Sequence, residues 1–273
     1  MELKTIEYGV ANRIATITLN RPHRMNAWTG RMHTEYRFAL NQAEQDPAVG
    51  AIVVTGEGRA FCVGADSEAL TGHVKKGGYD AGTPDPLAEP GFGVRPEFDA
   101  SFAYHFGLTK PVVAAINGPA AGVGLVLACY ADIRFAVPGV KFTTAHGKLN
   151  LPAEFGLSWL LPRIIGLAHA NDLLLTSRVF MSDEAASLGL VNRLVPPEQL
   201  LTETRNFVAG MIETVSPGSL FQTKRQIYTD LHRDVGSAVK ESEQLVDDMM
   251  KQPDYAEGVR AFLEKRKPDW RGS

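Results

Sequence analysis

Two continuous apolar runs, residues 49–55 and 111–117, are each followed by a cluster of glycines. An unbroken apolar run of this length is typical of a strand that is covered on both faces, as in a parallel sheet. Glycine at the junction between a strand and a helix allows a tight turn and lets a ligand approach the bare backbone. The N–H groups that begin the next helix then face that ligand with a favourable dipole. These junctions therefore predict both a class of fold and a ligand site.

The rest of residues 1–197 continues the alternation of strands and helices. Residues 5–8 and 14–19 alternate in polarity and predict a hairpin. Residues 29–45 carry a broad apolar stripe, which predicts a helix, and residues 133–137 predict a further buried strand. Strands that alternate with helices indicate an α/β fold.

The pattern changes twice after the first junction. Residues 71–98 are rich in glycine, proline and charge, which predicts a long loop without a packed element. Residues 198–273 are almost wholly helical in pattern. Four helices are predicted there, over residues 200–212, 218–231, 235–250 and 255–264. This C-terminal segment is too short to form a good core alone, so we expect it to pack on residues 1–197 or on another subunit.

Charge and cysteine content exclude several classes of function. The 273 residues carry a formal net charge of −3, which gives no basic field for nucleic acid. Cys62 and Cys129 stand in apolar stretches and predict small buried thiols in a reducing, cytoplasmic setting. The N-terminal residues lack a targeting pattern, and no apolar run approaches the length of a bilayer span. We therefore expect no membrane partner.

The sequence lacks the motifs of nucleotide binding, metal binding and serine-nucleophile catalysis. Neither junction contains the phosphate-binding pattern GxxxxGK[ST], and residues 122–127 lack the third small residue of the dinucleotide fingerprint. The seven histidines are scattered, without HExxH or a Cys/His cluster, and the serine-nucleophile pattern GxSxG is absent. The sequence thus predicts no nucleotide cofactor and no metal.

Six short blocks follow one another along the chain: LNRPHRMNA (19–27), GRAFCVGAD (58–66), KPVVAAINGPAAGVG (110–124), ADIRF (131–135), LPRIIG (161–166) and EAASLGLV (184–191). In this order they resemble the successive blocks of the crotonase (enoyl-CoA hydratase/isomerase) superfamily. The resemblance covers nearly the whole chain apart from residues 71–98. It implies a crotonase-like ββα spiral core over residues 1–197, which binds an acyl-CoA thioester. It also implies that residues 198–273 form a helical segment that helps to build a homotrimer or hexamer.

The resemblance also implies a set of binding residues. In that family two backbone N–H groups form an oxyanion hole, and the matching positions here are Ala65 and Val123. Such donors hold the enolate that forms when a thioester loses its α-proton, and each contributes roughly 3–4 kcal/mol. The CoA-binding set that the resemblance implies consists of Arg24, Met25, Ala27, Gly64, Asp66, Ser67 and Gly122. Within it, Arg24 is expected either to pair with a CoA phosphate or to stay a solvated charge. Asp66 is expected to cap the next helix.

The catalytic positions depart from those of the hydratases. Hydratases that resemble crotonase use two glutamates, and the matching positions here hold Val126 and His146. A valine cannot accept or deliver a proton, so the two-carboxylate mechanism of hydration is not expected. His146 is either a second acid/base group or a hydrogen-bonded histidine that lines the pocket. Asp132 is expected to be a buried structural carboxylate rather than a nucleophile.

Another carboxylate, Glu154, stands eight residues before Pro162. This segment resembles a block of the enoyl-CoA isomerase branch, in which a glutamate at that position is the single catalytic base. The apolar neighbours expected to desolvate this carboxylate and raise its pKa are Leu151, Phe155, Leu157 and Trp159. The alternative is a solvated loop glutamate.

The sequence therefore predicts double-bond isomerisation of an enoyl-CoA, with Glu154 as base. CoA arrives as part of the substrate, and no separate cofactor is expected. Two alternatives stay open: a hydratase or another crotonase-type lyase or hydrolase, and an acyl-CoA-binding protein without catalytic activity.

Overall fold

The computed structural model describes residues 2–76 and 88–270. Within them the strands are β1 (Ile6–Ala11), β2 (Ile14–Leu19), β3 (Ala51–Gly56), β4 (Val112–Ile116), β5 (Ala120–Ala121), β6 (Ile133–Ala136), β7 (Lys141–Thr143), β8 (Phe180–Met181) and β9 (Arg193–Leu194). The α-helices are α1 (Gly30–Gln45), α2 (Ser67–Lys76), α3 (Val123–Tyr130), α4 (Leu157–Ile165), α5 (Leu167–Thr176), α6 (Ser182–Ser187), α7 (Leu200–Thr214), α8 (Pro217–Asp230), α9 (Val235–Met249) and α10 (Pro253–Glu264). Short 3₁₀ helices cover Pro22–Arg24, Pro96–Phe98, Ala103–Gly107, His146–Leu149 and Glu154–Gly156.

Six strands form the main sheet, in the order β1-β2-β3-β4-β6-β9. β1 is antiparallel to β2, which confirms the predicted hairpin, and the other neighbours are parallel. Every residue of β3 and β4 is buried, so the two apolar runs are strands covered on both faces, as predicted.

Alternate residues of these strands enter two different cores. One core lies against α1 and α3 and contains the strand residues Ala15, Ile17, Ile52, Val54, Ala114 and Ile116. The other lies against α7 and contains Ile14, Ala51, Val53, Val113, Ala115 and Phe135. The period of two along each strand therefore places helices on both faces, which is the layered α/β arrangement that the sequence predicted.

The predicted helix over residues 29–45 is confirmed as α1. The Thr29 hydroxyl accepts a hydrogen bond from the Met32 N–H at 3.1 Å and caps the helix. The apolar stripe of this helix, which includes Tyr36 and Leu40, is fully buried against the sheet. Both cysteines are buried free thiols, as predicted.

The four predicted C-terminal helices are present as α7 to α10. α7 covers the second face of the sheet through Leu200, Val208 and Ile212. The helices α9 and α10 carry many exposed apolar side chains, such as Val235 and Phe262. The domain boundary at residue 197 stays a prediction.

The prediction of one unpacked loop over residues 71–98 was wrong at both ends. α2 continues to Lys76, and Phe98 is buried in a 3₁₀ helix. Residues 77–87 lie outside the described residues. The C-terminal end of this segment, residues 88–98, packs through close backbone contact rather than through a periodic apolar pattern. A Cβ atom on Gly107 would lie only 1.8 Å from the Gly91 oxygen. No helix in the described part of the chain is long and apolar enough to cross a membrane.

Asp132 ties α8 to the main sheet. Its carboxylate accepts hydrogen bonds from the Val112 N–H at 2.6 Å, the Lys224 ammonium at 2.8 Å and the Tyr228 hydroxyl at 2.7 Å. Lys224 is itself buried, so its charge depends on this partner. These contacts support the structural interpretation of Asp132.

Replacement of Asp132 by asparagine should lower the free energy of unfolding by about 3 kcal/mol, because it leaves the buried Lys224 charge without a counter-ion. Urea denaturation measures this difference. The control, Asp247→Asn on the exposed face of α9, should change stability by less than about 0.5 kcal/mol. Adding Lys224→Met to Asp132→Asn should restore part of the loss. Equal stability of Asp132→Asn and wild type would refute the assignment.

Candidate active site

The two glycine-rich junctions lie against each other, backbone to backbone. The Cys62 N–H donates to the Pro119 oxygen at 3.2 Å, and the Ala121 N–H donates back to the Cys62 oxygen at 3.0 Å. A Cβ atom on Gly124 would lie 2.1 Å from the Cys62 oxygen, and one on Gly64 would lie 3.2 Å from the Ala121 oxygen. Glycine is required here because the approach leaves no room for a side chain.

This contact places Ala65 and Val123 on the same cavity. Ala65 forms a parallel bridge to Trp28, in which the flanking groups are bonded: the Trp28 N–H donates to Gly64 and the Asp66 N–H donates to Trp28. Val123 is the first residue of α3, where a helix leaves its N–H groups without an internal partner. Among the described residues, neither the Ala65 nor the Val123 N–H has a hydrogen-bond acceptor.

The cavity has a volume of about 590 Å³ and largely apolar walls. The two junctions and Trp28 form one side, and one turn of α2 with the segment 145–155 forms the rest. Its lining beyond the junctions includes Ala69, Leu70, Val74, His146, Leu149, Leu151, Glu154 and Phe155. Of these α2 residues, only Val74 lies within residues 71–98, which were predicted to form a loop.

Glu154 lies beside the second junction. Its carboxylate oxygen Oε2 is 3.9 Å from the position that a Cβ atom on Gly122 would occupy. Burial raises the pKa of Glu154, and the nearby His146 charge lowers it by a smaller amount. Glu154 is half-buried, and the direction of this shift agrees with the predicted desolvation.

Only part of the predicted apolar surroundings of Glu154 is correct. Leu151 and Phe155 line its cavity, whereas Leu157 is in the core and Trp159 lines a second cavity. The cause is the backbone at Phe155, which has a left-handed φ of 48° and turns the chain before α4. The Tyr130 hydroxyl donates to the Phe155 oxygen at 2.7 Å and holds this turn in place.

His146 reaches the same cavity from the 3₁₀ helix that it begins. Ser177 fixes the turn, because its hydroxyl accepts hydrogen bonds from the Gly147 N–H at 3.0 Å and from the Thr144 hydroxyl at 3.2 Å. His146 is only 6% exposed, and in the described part of the chain its Nδ1 atom has no hydrogen-bond partner. His146 therefore lines the cavity with a buried Nδ1 atom that no hydrogen bond from the described residues satisfies, unlike the predicted hydrogen-bonded core histidine.

The other hydratase position is closed to the cavity. Val126 is 1% exposed and packs within α3 against the apolar core. Of the two positions at which hydratases carry glutamate, position 146 therefore lines the cavity in this protein, whereas position 126 lies in the core.

The remaining predicted CoA-binding residues lie beside the cavity, around Asp66. Its carboxylate accepts hydrogen bonds from Arg21 at 2.9 Å, Arg24 at 3.0 Å and the Glu68 N–H at 2.9 Å. Burial alone would raise the pKa of Asp66, but these donors outweigh it and lower the pKa to about 2. The predicted helix cap is thereby confirmed. Arg24 also donates to the Ser67 hydroxyl at 3.1 Å, so it is neither isolated nor fully solvated.

Met25 and Ala27 complete this region. Met25 has a left-handed φ of 50° and is half-buried, and Ala27 is buried with its oxygen accepting from Arg21. Neither lines the cavity, in contrast to Gly64 and Gly122, which do. Arg21 was missed from sequence, although it stands in the same block as Arg24.

Over residues 2–76 and 88–270, no three His, Cys, Asp or Glu side chains are arranged so that they could hold a metal ion.

Comparison with known proteins defines the class. A family model described as enoyl-CoA hydratase/isomerase matches residues 9–273. The chain therefore belongs to this family, within the crotonase superfamily, and its fold is the crotonase fold.

Individual relatives have different names. A probable enoyl-CoA hydratase, EchA12 of Mycobacterium tuberculosis H37Rv, is 37% identical, over 93% of this chain and 88% of the relative. The 1,2-epoxyphenylacetyl-CoA isomerase of Escherichia coli K12 is 33% identical, over 99% of this chain and 98% of the relative. A solved structure of a probable enoyl-CoA hydratase/isomerase from Mycobacterium abscessus has a TM-score of 0.84 and 30% identity, and covers 98% of this chain and 99% of that chain.

Proposed function

We propose that this enzyme shifts a carbon–carbon double bond within an enoyl-CoA, with Glu154 as its single acid/base residue. The observation that carries the proposal is the position of Glu154, half-buried beside Gly122 and with a raised pKa. The Val126 position, where hydratases have a glutamate, is closed off in the core. The curated relatives include both hydratase and isomerase names, which agree with the family as a whole.

The geometry of the cavity supports the following reaction. The thioester oxygen accepts hydrogen bonds from the Ala65 and Val123 N–H groups, which have no acceptor among the described residues. Glu154 removes the proton from C2 of a 3-enoyl-CoA, and the negative charge spreads onto the thioester oxygen. Glu154 then returns the proton to C4, which leaves a 2-enoyl-CoA. Atoms and electrons balance within the substrate, so the proposed reaction requires no metal, flavin or nicotinamide.

Glu154→Gln should lower kcat for conversion of a 3-enoyl-CoA by about 10²–10⁴-fold, because an amide cannot accept the proton. Absorbance of the conjugated product measures turnover. An unchanged mass distinguishes isomerisation from hydration. The control is Glu198→Gln, which removes an exposed carboxylate that does not line the cavity and should retain activity.

Three results would contradict this mechanism. Full activity in Glu154→Gln would remove Glu154 from the reaction. A mass gain of one water from a 2-enoyl-CoA would identify a hydratase. Tight binding of CoA esters without turnover by the wild type would indicate a binding protein.

Hydration of a 2-enoyl-CoA is the second candidate reaction, and one observation favours it. His146 lies in the cavity of Glu154, its charge affects the Glu154 pKa, and its Nδ1 atom has no partner among the described residues. A histidine and a carboxylate on one cavity could together activate and deliver a water molecule.

The pH dependence of isomerisation tests the coupling between His146 and Glu154. As pH falls, Glu154 becomes protonated and can no longer accept a proton, which sets the acid limb of kcat/KM. The His146 charge lowers the Glu154 pKa. His146→Gln removes that charge, so the Glu154 pKa should rise and the acid limb should move to higher pH. An unchanged acid limb would contradict the coupling, and loss of turnover at every pH would make His146 an acid/base group itself.

We also propose that the C-terminal helices mediate assembly into a homotrimer or a pair of trimers. The support is a set of exposed apolar side chains on α9 and α10: Val235, Val239, Val246, Val259, Phe262 and Leu263.

Sedimentation of the wild type should therefore give three or six times the 29.7 kDa mass of one chain. Phe262→Asp, at a side chain that is 82% exposed, should shift the distribution towards smaller species because it places a charge in the interface. A wild type that sediments as a single chain would contradict the proposal, and Glu264→Gln serves as the neighbouring control.

A further inference from the structure

A second cavity of about 420 Å³ lies next to the candidate active site. Of the described residues, Phe155 alone lines both cavities. The two cavities therefore meet at Phe155, which immediately follows the proposed base Glu154.

The second cavity is built for an apolar group. Its inner walls are aromatic and consist of Phe98, Phe106, Tyr130, Phe155 and Trp159. Ala100, Ser101 and Ala103 contribute small side chains that leave the space open. Such a concave, aromatic lining is typical of a small-molecule subsite.

The far rim of this cavity is polar and reaches solvent. Glu97 lies there and is paired with Arg95 at 2.8 Å, and the exposed His232 ring stacks on Trp159 with 5.3 Å between ring centroids. An apolar group in this cavity therefore contacts aromatic walls, while the polar part of the lining stays in contact with water.

Contacts with Tyr130 fix the backbone of the turn at Phe155 and Gly156. Tyr130 holds the Phe155 oxygen, and a Cβ atom on Gly156 would lie 3.0 Å from the Tyr130 hydroxyl, so the turn has little room to shift. Passage between the cavities consequently depends on the Phe155 side chain. A rotation of that ring is a small change compared with movement of the turn, which also positions Glu154.

We propose that the second cavity receives the distal apolar part of the acyl group, which passes Phe155 from the thioester site. The preferred substrates are then acyl-CoAs with an extended or ring-bearing apolar end rather than short acyl-CoAs. Phe155 is the specificity-determining residue at the passage. This inference rests on the proposed function only in placing the thioester in the first cavity.

Binding of unreactive saturated esters tests this proposal without relying on turnover. The probes are butanoyl-CoA, dodecanoyl-CoA and a phenyl-terminated acyl-CoA, titrated calorimetrically into the full-length protein. Ala103→Phe and Ser101→Phe each place a ring in the second cavity, and neither residue lines the first. Ser101 is exposed, so its variant keeps the test available if Ala103→Phe fails to fold. The control is Ala48→Phe, which adds the same bulk at an exposed turn.

We expect the wild type and Ala48→Phe to bind at least one of the two larger esters about tenfold or more tightly than butanoyl-CoA. In Ala103→Phe or Ser101→Phe this preference should fall to within about twofold, with butanoyl-CoA affinity unchanged. An equal preference in wild type and both filled variants would overturn the proposal, as would a wild type without preference. Equal weakening of all three esters would also overturn it. Absence of enoyl-CoA turnover, by contrast, would refute the proposed reaction and leave this binding test intact.

Discussion

The contact between the two glycine-rich junctions is the constraint on which the rest of the site depends. A side chain on Gly124 would collide with the Cys62 oxygen, and one on Gly118 would lie 2.3 Å from the Arg59 oxygen. Because both junctions follow parallel strands of one sheet, this contact brings the bridge at Ala65 and the first turn of α3 to one cavity. The two unbonded N–H groups are thus fixed by strand packing and backbone hydrogen bonds, which is the preorganisation that stabilisation of an enolate requires.

The carboxylates of Asp66 and Glu154 differ in the direction of their pKa shifts because their surroundings differ. Both Asp66 and Glu154 experience burial that raises the pKa. Asp66 also accepts hydrogen bonds from two arginines and a backbone N–H, and its pKa falls to about 2, so it remains a charged anchor between the first block and α2. Glu154 has mainly the His146 charge to offset burial, so its pKa stays raised. A carboxylate of that kind is the better proton acceptor near neutral pH.

The elements that could be predicted from sequence are those with a local signal. The apolar runs correctly predicted β3 and β4, and the helical periodicity correctly predicted α1 and the four C-terminal helices. The ordered blocks pointed to several of the residues that line the cavity. The features that were missed come from contacts between distant residues or from unusual backbone. Tyr130 meets Phe155 across 25 positions, Arg21 meets Asp66 across 45, and the left-handed φ of Phe155 belongs to a residue type that gives no such signal. The packing of Phe98 was missed because residues 88–98 have no helical or strand period.

The left-handed turn at Phe155 links the two ends of the proposed substrate. Its backbone, held by Tyr130, follows directly on the proposed base Glu154, while its side chain lines both cavities. In the proposed mechanism, a change at Phe155 therefore acts on proton transfer and on acyl selection together. Ala100, Ser101 and Ala103 line the second cavity and not the first. In the proposed binding mode the chemistry can thus stay constant while acyl selection varies, since backbone N–H groups hold the thioester end and replaceable side chains surround the acyl end.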